Sequence, residues 1–129
     1  MRGYHDRQIH PDATVTPGLV IFRFDGPLFF ANARTFRDQI RGFAAELPKP
    51  RWILVAAEPI TDVDTSAADM LGDLDVELNQ RGISLAFAEL KDPVRSKLER
   101  YELIGTLDPK HFYSTLDEAV ETFSREAKS

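Results

Sequence analysis

An α/β layered domain with a mixed, mostly parallel β-sheet, an antiparallel edge hairpin and about four helices is the fold class this sequence predicts. Three observations lead to it. Short β-branched and aromatic runs alternate with longer stretches of helical periodicity, the pattern of strands joined by crossover helices. The run Trp52–Ala57 (WILVAA) is apolar at consecutive positions, as a strand buried on both faces requires. The 129 residues suit one domain, which buries roughly two-thirds of the surface its unfolded chain exposes.

Residues 1–16 are polar and carry Pro11; they are expected to be a connector or tail, with the domain over residues 17–125 and a second tail over 126–129. Gly18–Phe24 (GLVIFRF) is β-branched and aromatic and predicts a strand. Asp25-Gly26-Pro27 is turn chemistry, so Leu28-Phe29-Phe30 is expected to return as a short antiparallel strand. Neighbouring side chains on a strand point to opposite faces, which puts one of Phe29 and Phe30 in the core and the other outside.

Asn32 is a suitable cap for a helix from Ala33 to Leu47. Ala33, Phe36, Ile40, Phe43, Ala44 and Leu47 make its apolar stripe, and Pro48 and Pro50 stop it. Trp52–Ala57 is the next strand, with Trp52 as packing. A second helix runs from about Thr65 to Gln80, with Ala67, Met70, Leu71, Leu74 and Leu78 inside and Asp69, Asp73 and Glu77 outside. Gly82 stands where a left-handed C-terminal cap belongs. Ile83–Ala88 (ISLAFA) is a strand. Asp92 is read as the cap of a third helix with Pro93 at its first position, a stripe of Val94, Leu98 and Tyr101, and an end at Gly105. Phe112-Tyr113 is a last short strand. Thr115 and Glu118 have capping-box spacing, opening a helix with Leu116, Ala119, Val120 and Phe123 on its inner face.

Composition excludes several functions. With no cysteine, disulfides and thiolate chemistry are out. A hydrophobic fraction of 43%, a charged fraction of 29% and a net charge of −5 describe an ordinary globular chain and argue against nucleic acid as a partner. No apolar run approaches the ~18 residues that span a bilayer, and the first residues lack the apolar centre of a signal peptide. Neither a phosphate-binding GxxxxGK nor a dinucleotide GxGxxG is present.

The stretch Ile60–Leu71 (ITDVDTSAADML) concentrates chemistry at one junction. Asp62 and Asp64 suggest a carboxylate pair, yet His5, His10 and His111 have no sequence-adjacent partner and no catalytic constellation emerges. The aspartates alternate like the first ligands of a calcium loop, but the glycine and distal glutamate of that loop are missing, so no metal is expected. A third reading makes Asp64 or Thr65 the cap of the helix. A fourth adds that the entrance of a helix favours negative charge. A phosphate on Ser66, or one from a nucleotide, would be received there against repulsion from Asp62, Asp64 and Asp69.

Two stretches carry a resemblance. VDTSAADML (Val63–Leu71) resembles the D-S-[ST]-G signature of STAS domains, the SpoIIAA-like domains of sulfate transporters and anti-sigma factor antagonists. Asp64 matches the aspartate, Thr65 the next hydroxyl residue and Ser66 the position phosphorylated in antagonists. Ala67 stands where antagonists usually have glycine, a methyl group expected to hinder close approach to Ser66; this departure leans toward the transporter branch. PGLVIFRFDGPLFFANARTFRDQI (Pro17–Ile40), above all DGPLFFANA, is similar to the opening of the STAS domain that follows the membrane domain in SulP anion permeases. The resemblance implies a cytoplasmic regulatory and interaction domain of a sulfate or related anion transporter, at the cytoplasmic face of the membrane. Its partners would be the membrane domain of the same transporter and regulatory proteins. It implies no catalysis and no required cofactor, with weak GTP or GDP binding at Asp64, Thr65 and Ser66 beside Phe30 and Asn32. The alternative it implies is a free-standing anti-sigma factor antagonist switched by phosphorylation at Ser66.

Overall fold

The computed structural model describes residues 16–101 and 111–127. The tail up to residue 15, His5, His10 and the expected helix end at Gly105 lie outside them. Along the chain come β1 (Leu19–Arg23), α1 (Phe30–Ala44), β2 (Trp52–Ala56), α2 (Thr65–Gln80), β3 (Ser84–Ala88), α3 (Asp92–Arg100), β4 (Phe112–Tyr113) and α4 (Leu116–Ala127). The strands form one sheet in the order β1-β2-β3-β4, every pair parallel.

Sequential parallel strands joined by right-handed crossovers place their connecting helices on one face of the sheet. The side chains agree. Phe22, Ile53, Val55, Leu85 and Phe87 share a core with the inner faces of α1, α2 and α3. The alternate residues Trp52, Leu54, Ala86 and Ala88 turn the other way and pack with Ala119 and Phe123 of α4, which follows the last of the described strands. Trp52 is packing, as expected, 5% exposed and edge-on to Phe123 at 5.3 Å between ring centroids.

Four local expectations are corrected. Among the described residues no antiparallel hairpin forms at Leu28–Phe30. Gly26, at φ +99°, donates its N–H to the Pro59 carbonyl at 3.1 Å, so the chain continues alongside the β2–α2 loop instead of reversing. Leu28 makes one parallel bridge to Val63, and the helix has begun by Phe30. Asn32 is therefore not the cap of α1 but its third residue, and Phe29 stands at the cap position. The helix ends at Ala44, leaving Leu47 90% exposed; the residue before a proline is disfavoured in helical geometry. At α3, Lys91 is the cap and Asp92 the first helical residue. Pro93 is tolerated one position later than expected because the first four amides of a helix have no partner within it.

The remaining punctuation matches. Gly82 takes φ +78°, its N–H donates to the Asn79 carbonyl at 3.0 Å, and the Ile83 N–H donates to the Leu78 carbonyl at 2.9 Å; this is a Schellman ending. Thr115 Oγ1 accepts from the Glu118 N–H at 3.0 Å. The reciprocal arm of that box reaches one residue further, Glu118 Oε1 accepting from the Ser114 N–H at 2.9 Å.

Candidate functional site

Parallel pairing of β1 and β2 continues past the strand ends as a ladder between two loops. After the Gly26–Pro59 bond, the Leu28 N–H donates to the Asp62 carbonyl at 2.9 Å, and the Asp64 N–H donates to the Leu28 carbonyl at 3.3 Å. The last rung uses a side chain. Asp64 Oδ2 accepts from the Phe30 N–H at 2.8 Å, while Oδ1 accepts from the Ala67 N–H at 2.8 Å. One carboxylate thus closes the entrances of both α1 and α2, supplying each with an acceptor its first turn lacks.

The expected site residues meet at this edge of the sheet. Asp64 is half-buried, and Thr65 and Ser66 are exposed. Phe30 is 76% exposed and Phe29 37%, while Leu28 at 1% supplies the core contact; the expectation that one phenylalanine is core fails because the segment is not a strand. Asn32 is nearby but turned onto its own helix entrance. Its Oδ1 accepts from the Phe29 N–H at 2.8 Å and its Nδ2 donates to the Pro27 carbonyl at 2.7 Å. Ala67 is fully buried, so its methyl group faces the core and does not obstruct Ser66.

Below Ser66 the two helices border an open groove of about 290 Å³. Arg37 and Arg41 line one rim, Asp69, Asp73 and Glu77 the other, with Met70 and Leu74 between them. Arg41 forks onto Glu77, Nε to Oε2 at 2.9 Å and Nη2 to Oε1 at 2.7 Å, and this guanidinium holds the Glu77 carboxyl below its ordinary range. At the far end, Arg81 Nη2 donates to the Ala44 carbonyl at 3.1 Å. The pair α1–α2 is therefore fastened at its start, along its length and at its end.

Asp62, the other aspartate of the junction, faces α3. The Lys97 ammonium donates to its Oδ1 and the Val63 N–H donates to the same oxygen at 2.9 Å. The lysine first, then the amide, hold the Asp62 carboxyl below the usual carboxylate range. Sequence reasoning offered Asp64 or Thr65 as the cap, of which the structure has Asp64, and missed the second bond of Asp64, the Lys97 partner and the groove. The signal that could have found the groove is the helical spacing of Arg37 and Arg41 against that of Asp69, Asp73 and Glu77.

Comparisons with known proteins agree with this architecture. A probable sulfate transporter of Mycobacterium tuberculosis is 38% identical over 124 residues, covering 95% of this chain and 22% of the relative. The chain thus spans about a fifth of the length of the curated relatives it matches. Among solved structures, a sulfate transporter family protein from Wolinella succinogenes superposes with a TM-score of 0.81 at 19% identity, over 96% of this chain and 99% of that one. A putative anti-sigma factor antagonist from Thermotoga maritima gives 0.68 at 17% identity, over 90% and 97%. These two likenesses speak for the fold. A family model described as the STAS domain matches residues 10–119, and the chain belongs to that family.

Proposed function

We propose that this chain is the regulatory and interaction domain of a SulP-type sulfate or related anion transporter, acting at the cytoplasmic face of the membrane through contact with the membrane portion of the same protein. It carries no anion and catalyses no reaction. The observation that carries this reading is the match to sulfate transporters over 95% of this chain but 22% of theirs, which is the relation of a module to a larger protein. The edge holding Phe30, Thr65 and Ser66 is the contact surface, because its side chains are exposed on a backbone pinned by the loop ladder. The test is labelled-sulfate uptake by the natural gene product in an uptake-deficient host, with and without Phe30→Ala and Ser66→Glu. A changed rate at equal membrane abundance is expected. Unchanged uptake for both variants, or a reading frame with no membrane portion, removes the proposal.

Weak guanine-nucleotide binding at the same edge belongs to this reading. Both Asp64 oxygens are engaged, leaving the first-turn amides of Thr65 and Ser66 for a phosphate, against the charge of Asp64. Titrating GTP into isotope-labelled protein is expected to shift the amides of Phe30, Thr65 and Ser66 at high nucleotide concentration only. Silence at those three amides ends the nucleotide part.

One observation favours a second reading, a free-standing anti-sigma factor antagonist: Ser66 is exposed at a helix entrance and its neighbour Ala67 leaves it accessible. Phosphate found on Ser66 in the native organism, together with a kinase partner that releases the phosphorylated chain, would choose this alternative.

A further inference from the structure

We propose that Asp64 is a positioning residue that couples the entrance of α2 to that of α1, so that a change of charge at Ser66 is transmitted to the exposed Phe30. The coupling is geometric and stands whether or not the transporter reading holds. Ala67 and Phe30 are 37 residues apart in the chain, yet their amides donate to the two oxygens of one carboxylate, each at 2.8 Å. Those oxygens turn together about a single bond, so the acceptor offered to Phe30 moves whenever the α2 entrance moves.

The other bonds of the α1 entrance do not replace this one. The backbone ladder reaches only Leu28. Asn32 serves the Phe29 amide. The Phe30 N–H is a first-turn donor without an acceptor in its own helix, and Asp64 Oδ2 is its partner. Ser66 stands two residues beyond Asp64, exposed. A negative charge placed there repels the carboxylate and competes for first-turn amides of α2. The bond to Ala67 is local to α2. The bond to Phe30 crosses between elements, so it is the one that yields, and Phe30, 76% exposed, changes its presentation. The same end of the molecule therefore carries a charge-sensitive input and an aromatic output, joined by one side chain.

Amide hydrogen exchange followed by NMR on the intact chain tests this. In the wild type, both Phe30 and Ala67 amides are expected to be protected. The carboxamide of Asp64→Asn has one acceptor oxygen, and asparagine is a good cap for its own helix, so Ala67 keeps its protection while Phe30 exchanges about tenfold faster or more. Ser66→Glu is expected to do the same selectively at Phe30. Gln80→Glu, a charge at the far end of α2, leaves both amides as they were. The coupling is overturned if Phe30 stays protected in Asp64→Asn and Ser66→Glu. It is equally overturned if Ala67 and Phe30 lose protection together with the rest of both helices, which would make Asp64 a general stabiliser. Should Asp64→Asn not fold, Ser66→Glu alone decides.

Discussion

Asp64 accepts from two helices, and the cost of removing it follows from that count. A side-chain cap contributes ~1 kcal/mol. Asp64→Ala is therefore expected to lower stability by about 2 kcal/mol in urea unfolding, against about 1 for an aspartate that caps a single helix. Ser66→Ala, an exposed position, stays within about 0.5 kcal/mol of the parent. A loss near 1 for Asp64→Ala would mean that only one of the two bonds matters in solution. The difference between its two bonds also explains what could be read in advance. The Ala67 amide is three residues away, and an aspartate before a helical stripe announces that bond. The Phe30 amide is 34 residues away, and no local pattern encodes a contact that exists only because β1 and β2 pair in register.

At the level of elements, the helices and strands were legible wherever periodicity was strong, as in α2 and β2. Errors fell where one signal serves two structures. Asp25-Gly26-Pro27 suits a hairpin and a strand-to-helix loop equally, and what decided was Gly26 donating to Pro59, a tertiary bond. Leu47 continued the apolar stripe of α1 in number but not in space. Gly82 was legible, because φ +78° in a Schellman ending is a demand that glycine meets at no steric cost. Gly82→Ala is expected to cost about 1–2 kcal/mol, measurable as a lowered denaturation midpoint with an unchanged slope. The Asp62–Lys97 tie gives a pH dependence with a definite sign. Asp62 is held below its unfolded pKa by Lys97 and then by the Val63 amide. Its contribution is therefore complete above the ordinary carboxylate range and is lost as pH falls through its lowered folded value. Lys97→Met should flatten that acid limb, seen as a smaller drop in melting temperature on acidification. An unaltered limb would show that the pair does not persist in solution.

Across the whole molecule, the two faces of the sheet are defended unequally. Among the described residues three helices cover one face, whereas α4 covers the other through Ala119 and Phe123. Phe123→Ala is expected to cost about 3–5 kcal/mol, read by calorimetry, and to expose Trp52 to water with a red shift of its fluorescence. A variant that keeps its emission would mean that the α4 side repacks. Parallel strand order also brings the starts of all four described helices to one edge of the sheet, where their dipoles add a positive field. The chain fills that field from within. Asp64 occupies two entrances, Glu89 Oε2 accepts from the Leu116 N–H of a third, and Asp92 lies in the first turn of the last. A small anion arriving from solution consequently meets a resident carboxylate at every one of these entrances and can compete only for the first-turn amides the carboxylates leave over.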